Sequence, residues 1–209
     1  MKLAIIGAGK VGGTLGRGLA RAGHTIHYGA RDPRDAKHAA LRDHAQVGTP
    51  REAVETSDAV VLATPWPATE AAIAALGDLD GRVLVDATNP IGPGFVLTHG
   101  HTDSGGEQVA RWARTARVVK AFNTTGVETM AAPRHGDARA AMFVAGDDAA
   151  ACEVALGLAR DLGFEAVRLG GLVRARVLEP TAMLWIQLAM VRGLGRDIAF
   201  GVLRRGGGQ

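Results

Sequence analysis

Short apolar runs recur along this chain, each closed by glycine, proline or small polar residues. Lys2-Leu3-Ala4-Ile5-Ile6, Ala59 to Ala63, Val83-Leu84-Val85 and Val118 to Phe122 show little of the alternation that a half-exposed strand requires. That pattern predicts strands buried on both faces, as in a parallel sheet. Between the runs, apolar residues return at helical spacing. After the first run, Val11, Leu15, Leu19 and Ala22 mark a helix, and Gly23 stands where its C-cap belongs. Thr25 to Tyr28 begins a second strand, Asp32 to Leu41 reads as a short helix opened by Asp32-Pro33, and Gln46-Val47 is a brief third strand. Thr49-Pro50-Arg51-Glu52 and Ser104-Gly105-Gly106-Glu107 are capping boxes, predicting helices to about Thr56 and Ala113. A further helix spans Ala68 to Leu76.

Beyond Gly126 the alternation of strand and helix loosens. Ala141 to Ala145 is a strand, Asp147 or Asp148 caps a helix to about Leu162, and Glu165 to Leu169 alternates as an edge strand does. A helix near Val173 to Leu178 is followed by a last one, with Pro180 at its first position, reaching about Arg192. That last helix is apolar nearly all round, so it must be buried in the core or against another subunit. Arg204 to Gln209 reads as a mobile tail. Gly92 to Gly106 is a long flexible loop whose His99, His101 and Asp103 have no tetrahedral metal spacing.

The first turn carries the chemistry. Gly7-Ala8-Gly9-Lys10-Val11-Gly12 fits G-x-G-x-x-G, directly after a strand and directly before a helix. Gly7 permits the tight turn, Gly9 lets a pyrophosphate approach the backbone, and Gly12 lets helix and sheet pack closely. The phosphates then rest on the positive end of the helix. At the end of the second strand an NAD site wants a carboxylate for the ribose 2′-hydroxyl. This chain has Gly29-Ala30-Arg31-Asp32, and Arg31 suits a 2′-phosphate, so the expected cofactor is NADP. The fold class is therefore α/β: a Rossmann-type, doubly wound, mostly parallel sheet with a small C-terminal helical extension. Residues 1–170 form the NADP-binding part and 171–209 the extension, within one compact unit.

Composition narrows the partners. Of the 209 residues 47% are apolar and 22% charged, which supports a folded core. The formal net charge of +3 is spread without a basic run, so neither nucleic acid nor a membrane is expected as partner. The single cysteine, Cys152, excludes an internal disulfide and agrees with a cytoplasmic location. No acid–base or nucleophile constellation stands out, so no catalytic residue is assigned. Asp86 lies at a strand end, as a cap or a functional group, and Lys120, within a strand, reads either as a group near the nicotinamide or as a side chain snorkelling at the cleft edge.

The chain resembles the small NADP-dependent oxidoreductases typified by NADPH-dependent reductases of the deazaflavin coenzyme F420. The likeness rests on the first turn, on Gly29 to Pro33, Thr64-Pro65-Trp66, Val85 to Pro90 and Val119 to Thr124. It continues through Gly146-Asp147-Asp148, Arg176 to Thr181 and Leu184-Trp185-Ile186. The resemblance implies that Gly7, Ala8, Gly9, Lys10, Val11 and Gly12 hold the pyrophosphate and Arg31 the 2′-phosphate. It places Thr64, Pro65 and Trp66 beside the dinucleotide, and Asn89 toward the nicotinamide. Phe122, Asn123 and Thr124 would face the second substrate, with Asn123 where some members carry histidine. It implies hydride transfer to a small-molecule redox acceptor such as coenzyme F420, in a homodimer. The alternatives are NADP-dependent reduction of an imine, quinone or flavin, and a non-catalytic NADP-binding sensor.

Overall fold

A computed structural model describes residues 1–205 of the chain. The chain runs β1 (Lys2–Ile6), α1 (Lys10–Arg21), β2 (Thr25–Gly29), α2 (Ala39–Arg42), β3 (Gln46–Gly48), α3 (Pro50–Glu55) and β4 (Ala59–Leu62). It continues through α4 (Thr69–Ala74), β5 (Val83–Asp86), the hairpin β6 (Ile91–Gly92) and β7 (Val96–Leu97), α5 (Gly105–Trp112) and β8 (Arg117–Lys120). Then follow α6 (Val127–Ala131), the hairpin β9 (Arg134–His135) and β10 (Ala138–Arg139), β11 (Ala141–Gly146), α7 (Ala149–Asp161), β12 (Glu165–Gly170) and α8 (Ala175–Ile186).

The main sheet has eight strands in the order β12-β11-β8-β5-β4-β1-β2-β3. All neighbours are parallel except β8 and β11. From β1 the chain winds outward through β2 and β3, then crosses to β4 and winds the other way. The order therefore reverses between β1 and β4, which opens a crevice at the carboxyl ends of those strands. Successive strand residues serve opposite layers. Leu3 and Ile5 pack with Leu15 and Leu19 of α1 and with Leu158 of α7, whereas Ala4 and Ile6 pack with Val54, Ile73 and Val109 of α3, α4 and α5. Helices on both faces leave no polar side for the strands, which explains their unbroken apolar runs.

Several expected boundaries shift. The helix expected from Asp32 begins later, with a tight turn at Ala36–His38 leading into α2. Asp32 accepts from the Arg34 amide and folds Pro33 into a turn, while Asp35 accepts from the Lys37 amide and supplies the cap. The loop after β5 holds the β6–β7 hairpin. β8 stops at Lys120, short of Phe122, because Phe122 takes a left-handed φ of 60° and turns its amide to the Met142 sulfur. Of the two candidate caps for α7, Asp148 accepts from the Ala151 amide, and Asp147 instead receives the Leu172 amide.

The largest correction concerns Pro180. It lies inside α8 rather than at a helix start. A proline there removes one intrahelical hydrogen bond. The helix nevertheless continues because neighbouring side chains fix it to α5: Glu179 accepts from the Gly105 and Gly106 amides, and Arg176 pairs with Glu107 at 2.6 Å. α8 runs on into a wider π-type turn at Gln187–Val191. It is buried on one side only. Leu178, Ala182 and Trp185 face inward, while Val177, Leu184, Met190 and Val191 remain exposed in the single chain. The last four residues of the tail expected at Arg204 to Gln209 lie outside the described residues; Arg204 itself pairs with Glu165.

Candidate functional site

The β1–α1 turn has the shape its glycines predict. Gly7 adopts φ 101°, and a Cβ there would stand 2.6 Å from the Ala63 carbonyl oxygen. A Cβ on Gly12 would come within 1.9 Å of the Gly7 carbonyl oxygen, so α1 starts closer to the strand than any side chain permits. Gly9 differs: a Cβ there meets nothing within 4 Å. Packing does not require that glycine, whereas close approach of a phosphate to the α1 amides does. Gly9 and Lys10 are exposed at the start of α1, and Ala8 and Val11 are half-buried. These residues fit a dinucleotide pyrophosphate.

Arg31 projects from the end of β2, exposed and without an ion-pair partner among the described residues. At the end of β4 the Thr64 and Thr69 hydroxyls meet at 2.9 Å, and Pro65 is exposed. The Trp66 ring, half-buried, packs in an aromatic group. It lies 5.4 Å from His99 of the loop after β7 and 5.4 Å from Trp112 of α5, centroid to centroid. That aromatic group, with half-buried Trp66, caps the α4–α5 layer.

At the far end of the crevice, Val11, Asn89 and Asn123 line a cavity of about 200 Å³. Thr125, Trp185 and Arg196 also line it. Sequence reasoning had not placed those three residues here. They come from three separate segments; Trp185 lies in the Leu184-Trp185-Ile186 stretch of the resemblance, whereas no motif quoted there includes Thr125 or Arg196. Phe122 does not join the cavity. Its ring is 1% exposed and packs in the core, 6.4 Å from the Phe164 ring. Its left-handed backbone serves to turn the next residues toward α8. Thr124 is buried beside it and does not line the cavity. Asn89 donates to the Asn123 carbonyl oxygen at 2.8 Å, and the Asn123 amide nitrogen donates to Asn89 Oδ1 and to the Leu178 carbonyl. Arg196 lies over the Trp185 ring and bonds Glu128 at 2.7 Å, which holds the Glu128 carboxyl below its usual range.

Beneath this wall sits a charged cluster. Lys120, with no exposed side-chain surface, reaches Asp86 Oδ2 and Glu179 Oε1, each at 2.9 Å, and the Thr88 carbonyl at 2.6 Å. The expectation that Lys120 snorkels is therefore overturned, because all three of its protons are taken inside. Asp86 also accepts from the Thr88 amide and hydroxyl. Glu179 accepts from two amides at the positive end of α5. A Cβ on Gly105 would stand 3.0 Å from Glu179, so the glycines that follow Ser104 let α8 approach. Glu179 was missed as a partner because it lies 59 residues from Lys120, as their numbers show.

Residues 2–90 match the family model described as NADP oxidoreductase, coenzyme F420-dependent. The structure is similar to that of a candidate F420-dependent NADP reductase from Arthrobacter sp. FB24, with a TM-score of 0.89 and 34% identity. The match covers 98% of this chain and 100% of that one. It is also similar to protein SMa0349 from Sinorhizobium meliloti, with a TM-score of 0.75 and 26% identity over 98% and 96% of the two chains. Metalloreductase STEAP3 of Rattus norvegicus is 29% identical over 180 residues, 85% of this chain; the chain spans 36% of that relative's length.

Proposed function

This chain belongs to the family of coenzyme F420-dependent NADP oxidoreductases, and we propose that it moves hydride between NADP(H) and a deazaflavin ring of the coenzyme F420 type. It is an NADP-dependent oxidoreductase, and NADP is its cofactor. The Arthrobacter protein's designation as an F420-dependent reductase supports the acceptor. The observation that carries the reading is a shared wall. Val11, in the first turn at the phosphate-facing end of α1, also lines the cavity with Asn123 and Trp185. A dinucleotide held at Gly7 to Gly12 would therefore reach the cavity with its far end.

In this reading Gly7, Ala8, Gly9, Lys10, Val11 and Gly12 seat the pyrophosphate, and Arg31 pairs with the 2′-phosphate. Thr64 and Pro65 border the dinucleotide, and Asn89 orients Asn123. The extension that begins at residue 171 covers the acceptor side through α8. Arg196 is the ionisable side chain among the cavity walls, and a guanidinium donates hydrogen bonds and accepts none. The described walls therefore hold no general acid or base. That suits chemistry whose reactivity the two bound rings supply: hydride passes from dihydronicotinamide to the deazaflavin, which takes one further proton from solvent. The protein's part is to align the rings and exclude water. The exposed apolar side of α8 supports a homodimer, and the buried free thiol of Cys152 agrees with a cytoplasmic location.

The test is stopped-flow absorbance with NADPH and the deazaflavin. Oxidation of NADPH coupled to bleaching of the deazaflavin is expected. Loss of neither absorbance above background would remove this acceptor.

A further inference from the structure

Two polar atoms of the cavity wall lack a protein partner. Asn123 Oδ1 and Thr125 Oγ1 are both buried and make no hydrogen bond among the described residues. The Asn123 amide cannot relieve this by turning over. Its nitrogen donates to the Leu178 carbonyl at 3.1 Å, and a backbone carbonyl only accepts. The second proton goes to Asn89 Oδ1 at 3.0 Å, while the Asn89 nitrogen is itself committed to the Asn123 carbonyl. The side chain, 4% exposed, is thus locked with an acceptor that asks for an N–H. Thr125 lines the same cavity with a hydroxyl free to donate. A buried, preoriented acceptor left unmet is costly, so the complementary group belongs to what binds there.

Resting on the function proposed above, we infer that Asn123 and Thr125 read an amide edge, an N–H beside a C=O, on a ring bound in this cavity. Asn123 Oδ1 accepts the N–H, and the Thr125 hydroxyl donates to the carbonyl. Two ligands of the proposed reaction carry that edge: the nicotinamide carboxamide and the ring imide of the acceptor. The pair makes Asn123 and Thr125 specificity-determining residues, and Asn89 the residue that positions Asn123.

Equilibrium binding decides between the sources. The probes are NADP, its 3-acetylpyridine analogue (methyl in place of the amide nitrogen), 2′,5′-ADP, and the deazaflavin with and without a methyl on its imide nitrogen. They are titrated against the wild type, Thr125→Val and Asn123→Ala. If the carboxamide is read, the wild type favours NADP over the acetylpyridine analogue by about tenfold, the value of one good hydrogen bond. Both variants lose that preference and keep their affinity for 2′,5′-ADP. If the imide is read, the same tenfold gap appears between the two deazaflavins instead. Should neither pair of probes be distinguished by the wild type, the inference is overturned while 2′,5′-ADP binding leaves the cofactor reading intact. Failure of 2′,5′-ADP to bind would sink the cofactor reading, and the inference with it.

Discussion

Replacing Lys120 by methionine removes the cation from between two buried carboxylates. The side chains of Lys120 and Asp86 have no exposed surface and that of Glu179 has 1%, so water cannot screen what is left. Stripping one partner from a buried ion pair costs about 3–5 kcal/mol. For a chain of this size about 1 kcal/mol moves the melting temperature by about 2–4 °C, so Lys120→Met should melt about 6–20 °C lower. A second change tests the cause. Asp86→Asn keeps the Oδ1 acceptor for the Thr88 amide and hydroxyl but removes one charge. Added to Lys120→Met, it should restore about 1 kcal/mol or more, as coupled neighbours do. Urea unfolding followed by circular dichroism measures both. The pH dependence has a definite sign. Burial pulls the Lys120 pKa down, but the Asp86 and Glu179 carboxylates outweigh it, and the net direction is upward. A cation with a raised folded pKa stabilises fully below its unfolded value of about 10.4 and loses that contribution as pH rises through the folded value. Wild-type stability should therefore fall above about pH 10.4 by an increment absent from Lys120→Met. A single variant as stable as wild type, or a double variant weaker than the single, would refute the account.

Three other outcomes are expected. Gly9→Ala should change stability by about 1 kcal/mol or less, because its Cβ meets nothing within 4 Å, yet weaken NADPH binding at least about tenfold; calorimetry of melting and of binding gives both numbers. Arg31→Ala should weaken NADPH by about ten- to a hundredfold, the worth of charge-assisted hydrogen bonds, and leave NADH unchanged; parallel fluorescence titrations of the two cofactors check it, and NADH bound as tightly as NADPH by the wild type would remove the role given to Arg31. Leu184→Asp, on the exposed side of α8 where Leu184 is 52% exposed, should shift the mass seen in sedimentation equilibrium from dimer to monomer without lowering the melting temperature of the monomer.

The sheet, its winding and the dinucleotide turn were legible from residue order alone. Each of these is written in neighbouring residues: strands as unbroken apolar runs, helix starts as the capping box at Thr49 and the serine cap at Ser104, and the turn as glycines at fixed offsets. Local steric and hydrogen-bonding rules suffice for such features. Tertiary structure alone decided the cavity and the cluster beneath it. Pro180 reads as a helix start until Glu179 is seen fixed to α5. Phe122 reads as a ligand contact until its ring is seen against Phe164. Lys120, Asp86 and Glu179 meet only because β5, β8 and α8 converge, and Thr125 and Arg196 face one cavity for the same reason. A side chain's burial and partners are set by segments distant along the chain, so residue type and spacing carry no record of them.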